Sequence, residues 1–477
     1  MISSARMAAV DRNAEALGVP RRQLMESSGN AVARRVKRRH ADGTVFIVAG
    51  RGNNGGDAFV AARFLDDYDV TVRLLGSADR ITTDIAAANW EALERGEFDT
   101  DEWRDSSSVA VPDVDLVIDA VVGTGVTGAL REPAATASRA INAADADVIS
   151  VDVPSGVDAD TGDAAGAAVE PDEIVTFHDT KPGLAELEVP VHVADIGIPA
   201  AAELFVEVGD LRDLSRDPDS HKGQAGRIFT IGGGPYTGAP ALTATAALRA
   251  GADLSYVACP EVVAGTVAGY GPDLIVRGLS GECLQPEHVQ ELLEEAEDMD
   301  VIVLGPGLGN DPATLEAVRA FLEAYDGRCV VDADALSTVP ETTTAAELIC
   351  TPHMGEFVDM GGERADDWRD RLEQASRLAA ELGVTLLLKG RYDVVTDGDR
   401  TRVNRTGNPG MTVGGTGDVL AGIVAACFTQ AQRSAVTAGA IGSYVNGAAG
   451  DRVAQENNDG LVASDLLDAI PTARWPE

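Results

Sequence analysis

The sequence predicts two consecutive α/β domains, each with a mostly parallel sheet that helices cover on both faces. Two observations support this class. Short apolar runs alternate with helical patterns through both halves of the 477-residue chain, and many of the runs end in glycine-rich turns. A polar stretch at 209–220, rich in Asp, Arg and Ser, interrupts this alternation. We therefore predict domains at residues 1–210 and 211–477.

Apolar periodicity gives the elements in chain order. In the first half it predicts helices over about residues 4–17, 21–39 and 58–66, with strands at 44–49, 70–75, 116–118 and 147–151. In the second half it predicts an Ala-rich helix at about 239–251, with strands at 227–231, 254–258, 301–304, 330–332, 348–350 and 385–388. Because strands and helices alternate, we expect the carboxyl ends of the strands to meet at one edge of each sheet.

The charge balance excludes several classes of partner. The chain has 77 acidic and 38 basic residues, a formal net charge of -39, and a field of this sign repels nucleic acid and anionic membranes. The acids are spread along apolar-periodic segments, which favours a salt-adapted surface and a halophilic source. There is no apolar signal core or membrane-length run, and the five cysteines show no CxxC spacing. We therefore expect a cytoplasmic protein without a disulfide frame or a zinc site.

Lysine is rare in this chain, which makes each lysine informative. There are only four, at positions 37, 181, 222 and 389. The last three lie inside glycine- or proline-rich motifs, so we predict that they serve a site; the alternative is that they fall in these motifs by chance.

The first glycine-rich loop, at residues 50–57, follows a predicted strand and precedes a predicted helix. Gly50, Gly52 and Gly55 satisfy GxGxxG, which by itself is equally typical of a dinucleotide site and of an ordinary strand–helix turn. Asn53 and Asn54 make the loop more specific. Their side-chain carbonyls suit a monovalent cation or a sugar hydroxyl, and the amides of a helix start favour anionic groups.

Three further motifs lie at predicted strand ends. Asp119 precedes Gly-Thr-Gly, where open α/β sheets bind ligands, although a helix-capping role is the alternative. Asp152 and Ser155 flank a rigid Pro-containing turn, and Lys181 lies in the segment 176–184. We expect these carboxylates, a lysine and backbone amides that can bind phosphate to lie together at one edge of the sheet.

The segments GRGNNGGDA, VIDAVVGTG, VDVPSGVDADTG and TFHDTKPGL resemble the NAD(P)H-hydrate epimerase domain, a Rossmann-like three-layer domain, over about residues 1–210. The resemblance implies that Asn54, Asp119 and Ser155 hold K⁺ and that Asp152 and Lys181 are the catalytic pair. It also implies substrate contacts from Asn53, Asn54, Gly55, Gly56, Asp57, Gly123, Thr124, Gly125, Val126, Thr127, Gly128 and Asp152.

The strongest motif of the second half is the glycine-rich segment 407–418, which runs into an apolar helix. The amides of Gly415–Gly417 at a helix start form an anion hole, and Asp418 directs a carboxylate at a hydroxyl that is to be phosphorylated. The alternative is a glycine-rich turn in which Asp418 only begins the helix. Other motifs, at 221–223, 231–239, 304–309, 332–336, 351–356 and 388–390, are expected to line the same cleft.

Gly-Thr-Gly-Asp before a helix is similar to the ribokinase-like superfamily, and residues 220–470 resemble its ADP/ATP-dependent NAD(P)H-hydrate dehydratases. The resemblance implies that Ala239, Gly307, His353 and Asp418 contact the hydrate. It implies nucleotide contacts from Lys389, Gly390, Arg391, Tyr392, Asp393, Val394 and Gly417. The cosubstrate would be ADP or ATP with Mg²⁺.

Together the two resemblances predict repair of the hydrated cofactors NADHX and NADPHX, by a protein that we expect to be a homo-oligomer. The first domain would interconvert the R and S epimers, and the second would remove water from the S form. An ATP-dependent kinase of a small alcohol remains an alternative, with the first domain a regulator; its product would be a stable phosphate ester. A non-catalytic scaffold role for the first domain, or an NAD oxidoreductase, is a further alternative.

Overall fold

The structure is a computed structural model that describes residues 1–125, 128–212, 219–429 and 433–476. The chain forms two compact units, Met1–Ala202 and Glu203–Glu477. This division precedes the boundary that the sequence predicts after residue 210. The reason is local: residues just after the division pair with the second unit, where the Val206 amide donates to the Val403 carbonyl and Arg402 forms an ion pair with Asp210 at 2.7 Å.

The first unit contains a seven-stranded parallel sheet in the order β3-β2-β1-β4-β5-β6-β7. Its strands are β1 (Thr44–Ala49), β2 (Asp69–Leu75), β3 (Asp99–Trp103), β4 (Leu116–Ala120), β5 (Asp147–Val151), β6 (Glu173–Phe177) and β7 (Val191–Ala194). Its helices are α1 (Ser4–Ala16), α2 (Arg21–Arg39), α3 (Asn53–Arg63), α4 (Asp84–Arg95) and α5 (Ala134–Asn142), and the short α6 (Ala201–Leu204) spans the division.

Hydrophobic side chains alternate between the two faces of this sheet and bury both. In β1, Ile47 and Ala49 join one hydrophobic cluster, whereas Phe46 and Val48 join another on the opposite face. This follows from the two-residue period of a strand. Because both faces are covered, the unit has three layers, and the predicted Rossmann-like class is confirmed.

The second unit contains a nine-stranded sheet in the order β10-β9-β8-β11-β12-β13-β14-β15-β16, in which β15 runs antiparallel to both of its neighbours and the other pairs are parallel. Its strands are β8 (Arg227–Ile231), β9 (Leu254–Pro260), β10 (Ile275–Leu279), β11 (Val301–Leu304), β12 (Arg328–Val331), β13 (Glu347–Cys350), β14 (Thr385–Leu388), β15 (Asp393–Thr396) and β16 (Thr401–Asn404). Its helices are α7 (Gly238–Arg249), α8 (Glu261–Ala268), α9 (Val289–Ala296), α10 (Pro312–Ala324), α11 (Met354–Asp359), α12 (Trp368–Leu382), α13 (Thr416–Phe428), α14 (Ala435–Asn457) and α15 (Ala463–Arg474).

Helix α13 is the central helix of this unit. Every residue from Val419 to Phe428 is buried, and the helix packs against α7 and α14. Close approach explains its small residues, since a Cβ on Gly422 would collide with the carbonyl oxygen of Thr243. The Thr243 hydroxyl donates to the Asp418 carbonyl at 3.0 Å. Thr243 of α7 therefore contacts α13 at two positions and helps to hold its first turn in place.

The strands and helices confirm most of the predicted elements, although the buried strand β6 was not predicted and two other kinds of difference occur. Helix α3 begins at Asn53, so the Asn-Asn-Gly-Gly-Asp segment forms its first turn; the expectation that this helix starts near Ala58 was wrong, because glycines at a helix start mask the periodicity. Strands at the sheet margins, such as β3, β10 and β16, were not predicted because their residues are polar or half-exposed.

Within the residues that the structure describes, no helix combines the length and the apolar character needed to cross a membrane.

Two candidate active sites

The strand order of the first unit reverses between β1 and β4, and the loops after these strands enclose the first candidate site. Ligands bind at such a switch point in open α/β sheets. The two loops touch backbone to backbone: a Cβ on Gly50 would collide with the Val121 carbonyl, and one on Gly55 would collide with the Gly50 carbonyl. These glycines are therefore required for close packing, as well as for any ligand contact.

The two asparagines of the first turn of α3 have different surroundings. The Asn53 side-chain oxygen accepts a hydrogen bond from the Thr83 hydroxyl at 2.9 Å, which links α3 to the start of α4. The Asn54 side-chain amide lies against Gly123 in the loop after β4, and its oxygen and nitrogen are both buried with no hydrogen-bond partner among the residues that the structure describes. Burial of a polar group without a hydrogen-bond partner costs free energy. The Asn54 side chain is therefore placed to bind a ligand.

Asp119 lies at the end of β4 and is fully buried. Its carboxylate accepts hydrogen bonds from the hydroxyls of Ser150 at 2.7 Å and Ser155 at 2.6 Å, and from the Ser155 amide at 2.9 Å. Burial raises the pKa of Asp119, while these hydrogen bonds act against the increase. Asn54 and Ser155 both contact the loop after β4, the strand that carries Asp119, so the structure brings the three residues around one loop.

Lys181 and Asp152 form a buried ion pair. The Lys181 ammonium is fully buried and donates to Asp152 at 2.6 Å, to the Thr176 hydroxyl at 2.8 Å and to the Phe177 carbonyl at 3.0 Å. All three of its donors are therefore used. The Asp152 side chain is 15% exposed, and its φ of 67° is rare for a residue other than glycine. Of the two groups, Asp152 is the one that can reach a substrate.

Two further carboxyl groups surround this pair. Burial raises the pKa of Asp57 well above its ordinary value, and the charges of Asp152 and Asp11 add to the increase. Burial also raises the pKa of Asp11 to about 6, although Arg21 opposes this. The sequence analysis assigned Asp57 to the substrate site but missed Asp11, because an acid in an amphipathic N-terminal helix carries no local signal.

The remaining predicted contacts of the first site lie in the loop after β4. Gly123 and Thr124 are partly buried, whereas Gly125 and Gly128 are exposed. Gly56 packs closely against the side chain of Met25. Val126 and Thr127 fall outside the described residues.

The second candidate site lies where the strand order reverses between β8 and β11. Here too the loops meet backbone to backbone. A Cβ on Gly307 would collide with the Tyr236 carbonyl and would lie 3.2 Å from the Ala239 side chain; one on Gly305 would collide with the Asp332 carbonyl. The predicted hydrate contacts Gly307 and Ala239 are thus neighbours.

The start of α13 brings together the charges of this site. Asp418 lies in the first turn, where Gly415 adopts a left-handed φ of 98°. Burial raises the pKa of Asp418 to about 7; Asp332 adds to the increase and Lys389 opposes it. The Lys389 ammonium lies 3.0 Å from an Asp332 oxygen and 3.3 Å from the position of a Cβ on Gly417.

The predicted nucleotide contacts 389–394 form the hairpin turn between β14 and β15 and the first residues of β15. Arg391 is exposed and Tyr392 stacks on Trp368, with ring centroids 5.5 Å apart. Asp393 accepts from the Gly390 amide at 2.9 Å and from Asn404 at 3.1 Å. Val394 is fully buried, so its side chain is part of the hydrophobic core.

Sequence reasoning missed a buried arginine beneath this hairpin. Arg371 of α12 donates to the Lys389 carbonyl at 2.7 Å, and its guanidinium occupies the space that a side chain at Gly390 would need. Burial lowers the pKa of Arg371, although Asp393 opposes this.

Two predicted members of the cleft are placed differently. The His353 side chain is 60% exposed, and its Nδ1 accepts from the Glu356 amide at 3.0 Å, so it also caps α11. The motif at 221–223 precedes β8 and lies at the opposite end of the strands from Asp418, so its expected place in the cleft was wrong; being near a strand in sequence does not decide which end of the strand a loop occupies.

The fold and the sites define a fused enzyme, a Rossmann-like domain followed by a ribokinase-like domain. Residues 21–183 match the family described as YjeF-related protein N-terminus, and residues 228–472 match that described as NAD(P)H-hydrate dehydratase. The chain belongs to the bifunctional NAD(P)H-hydrate repair enzymes, and it is an NAD(P)H-hydrate epimerase and dehydratase.

Similar curated and solved proteins support this assignment. The chain is 43% identical to the bifunctional NAD(P)H-hydrate repair enzyme Nnr of Methanothermobacter thermautotrophicus, over 98% of this chain and 94% of that one. It is also 43% identical to the enzyme of the same name from Archaeoglobus fulgidus, over 99% and 98%. A ribokinase-like superfamily protein of Enterococcus faecalis superposes with a TM-score of 0.50 at 27% identity, over 57% of this chain and 95% of that chain.

Proposed function

We propose that Asp152 and Lys181 of the first unit interconvert the R and S hydrates of NADH and NADPH, and that Asp418 of the second unit is the base of a nucleotide-dependent dehydration of the S hydrate. The observation that carries this proposal is the start of α13, where a half-buried carboxylate with a pKa of about 7 lies in the first helical turn near the ammonium of Lys389. A base with a pKa near the working pH is well suited to proton transfer.

The dehydration must overcome a poor leaving group, since hydroxide leaves carbon reluctantly. The C6 hydroxyl of the S hydrate gives its proton to Asp418 as its oxygen attacks the terminal phosphorus of ADP or ATP. The phosphoanhydride bond breaks and releases AMP or ADP. The C6–O bond then breaks with phosphate as the leaving group, and loss of the C5 proton restores the ring double bond.

In the epimerase site, Asp152 is the group that exchanges a proton with the substrate. Lys181 cannot approach a substrate while its three donors are used within the protein. It therefore acts through Asp152, which it orients together with Thr176. Asn53, Asn54, Gly55, Gly56 and Asp57, with the loop 123–128, would contact the hydrate.

Asn54, Asp119 and Ser155 fit a K⁺ site. The support is the buried Asn54 oxygen, which lies beside the loop after Asp119 and has no hydrogen-bond partner within the described part of the chain. Oxygen ligands suit a hard monovalent cation, and K⁺ would supply positive charge near the phosphates of the substrate. For Mg²⁺ the described residues contain no group of three or more His, Cys, Asp or Glu side chains placed to hold a metal. Mg²⁺ would therefore arrive with the nucleotide, bound mainly by its phosphates.

The nucleotide would lie between the 389–394 hairpin and Gly417, and the hydrate would contact Ala239, Gly307, His353 and Asp418. We propose a cytoplasmic protein, as the scattered cysteines suggest; the charge of -39 supports a salt-adapted surface and argues against binding to nucleic acid. We also propose that it is a homo-oligomer, which sedimentation would test.

One experiment tests both activities. The purified protein is incubated with mixed epimers of hydrated NADH, with and without Mg²⁺ and ADP. With ADP, absorbance of the reduced nicotinamide should return for the whole mixture, with equimolar AMP and phosphate. Without ADP, only the epimer ratio should change. Accumulation of a stable phosphate ester would instead indicate a kinase.

A further inference from the structure

Asp332 is a buried carboxylate at the end of β12 to which no role is assigned above. It is 2% exposed. One of its oxygens accepts two hydrogen bonds, from the Thr351 hydroxyl at 2.7 Å and from the Lys389 ammonium at 3.0 Å. A buried charge is expensive unless it is paired, so this carboxylate and Lys389 depend on each other.

The partner of Asp332 faces the start of α13. The Lys389 ammonium lies 3.3 Å from the position of a Cβ on Gly417 and 3.9 Å from a Glu356 oxygen. Burial lowers the pKa of Lys389, but Asp332 and Glu356 outweigh this effect and the pKa is raised. The ammonium is therefore kept charged beside the helix amides that would receive a phosphate.

A lysine side chain has four rotatable carbon–carbon bonds, so fixing its ammonium costs conformational entropy. Asp332 and Thr351 follow the neighbouring strands β12 and β13. The Thr351 hydroxyl donates to the same Asp332 oxygen that accepts from Lys389, so this oxygen is held in place and fixes the position of the ammonium before any ligand binds. Preorganisation of this kind increases affinity because the cost is met during folding.

We propose that Asp332 is a positioning residue of the dehydratase site, which holds the Lys389 ammonium at the start of α13 to receive the terminal phosphate of the nucleotide. This inference rests on the function proposed above. Asp332 has a second effect on Asp418. The charged groups that act on Asp418 are Asp332 and Lys389, and Asp332 raises the pKa of Asp418. Loss of the Asp332 charge should lower that pKa.

The test is a double-mutant cycle of Asp332→Asn and Lys389→Met, with Mg²⁺–ADP binding measured by calorimetry without the hydrate. Asparagine keeps an acceptor for Thr351 but loses the charge that holds the lysine. In the wild-type background, Asp332→Asn should weaken ADP binding roughly fivefold. In the Lys389→Met background it should not weaken binding, because only repulsion between Asp332 and the phosphates is then removed.

The pH profile of dehydration gives a readout that general structural damage would not move. In Asp332→Asn the acidic limb of kcat should shift to lower pH. The matched control is Asp326→Asn, the same change at an exposed aspartate before the first residue of β12, for which both ADP affinity and pH profile should stay as in the wild type. Thr351→Val removes only the hydrogen bond from the Thr351 hydroxyl to the same Asp332 oxygen. It should also weaken ADP binding, but by less than Asp332→Asn does, and it replaces that variant in the test if Asp332→Asn does not fold.

The outcomes separate this inference from the proposed function. If the wild type binds ADP but does not dehydrate the hydrate, the proposed function fails and the calorimetric cycle still decides the role of Asp332. If the wild type dehydrates while Asp332→Asn keeps its ADP affinity and its pH profile, the inference is overturned. Equal losses in both backgrounds of the cycle, or a wild type that does not bind ADP, would also overturn it.

Discussion

Replacement of Asp418 by asparagine separates its proposed role as a base from a role as a helix-start acid. Asparagine keeps the size and polarity of the side chain but cannot accept a proton from the hydroxyl of the substrate. A positioned base typically contributes 10²–10⁴-fold, so kcat for dehydration should fall by roughly that factor. Affinity for ADP should change little or increase, because a negative charge near the phosphates is removed.

The pKa of about 7 for Asp418 also fixes the pH dependence. The base is active when it is deprotonated, so activity should be lost as the pH falls through 7, about tenfold per unit below that value. A carboxyl group with an ordinary pKa would keep full activity to about pH 5. The assay is the initial rate of reduced nicotinamide formation from the S hydrate with saturating Mg²⁺–ADP.

The same shift predicts a change in stability. A raised pKa in the folded state favours the protonated form, so this stabilising contribution is present at low pH and is lost as the pH rises from about 4 to about 7. Asp418→Asn should therefore gain stability relative to the wild type over that window, by at most about 4 kcal/mol and less with solvent screening. Thermal unfolding at pH 5 and pH 8 measures this.

The epimerase activity of the same preparation is the internal control, and it should be unchanged. Near-normal dehydration by Asp418→Asn would refute the assignment of the base. A loss of kcat in Asp418→Asn with no acidic limb near pH 7 in the wild type would show that the residue is needed for another reason.

Three further predictions concern the first unit. Lys181→Ala and Lys181→Arg should both slow epimerisation, because Asp152 loses a fixed ammonium and the arginine fork differs in shape. With ADP, such a variant should convert only the S fraction of the hydrate at the original rate. A wild-type epimerisation rate for Lys181→Arg would make the lysine purely structural. Asp119→Ala should abolish the K⁺ dependence of epimerisation and leave dehydration intact, as measured by K⁺ titration; loss of both activities would argue against independent domains. Gly50→Ala should lower the melting temperature and the epimerase rate because its Cβ would collide with the Val121 carbonyl, and unchanged melting would show that the loops can separate without cost.

The sequence predicted most of the buried strands because their signal is local, but it missed β6, all of whose residues are buried. Buried strands such as Thr44–Ala49, Arg227–Ile231 and Thr385–Leu388 have the bounds that their apolar runs indicate. The marginal strands lack this signal, since Asp99–Trp103 alternates exposed and half-buried residues. The start of α3 was also missed, because asparagine and glycine are poor helix formers wherever they are not part of a specific turn.

The motifs identified residues of both sites but not the contacts between them. The pairing of Lys181 with Asp152 joins positions 29 apart, and that of Lys389 with Asp332 joins positions 57 apart. No local pattern specifies such partners; only the order of strands in the sheet brings them together. Arg371 was missed for the same reason, since an arginine in an amphipathic helix is usually solvated.

The four lysines of the chain lie in two kinds of surroundings. Lys181 is fully buried and Lys389 is 20% exposed, and each pairs with a carboxylate at a strand end. Lys37 instead lies near Asp66 and Asp67 on the surface, and Lys222 is exposed at the far end of β8. A chain with 77 acidic residues offers a surface cation many carboxylates.

A buried ammonium, by contrast, has few partners, and the order of the strands determines which carboxylate it contacts. In the first unit the chosen carboxylate, Asp152, is itself the group that we propose to react. In the second unit the chosen carboxylate is Asp332, and the reacting group Asp418 stands beside the pair. Burial is the largest cause of the raised pKa of Asp418; the charge of Asp332 adds to the increase, and the ammonium of Lys389, which pairs with Asp332, opposes it. The two sites therefore use the same pair of residue types, a lysine and an aspartate, for different ends, in one case to orient the reacting carboxylate and in the other to leave it able to accept a proton near neutral pH.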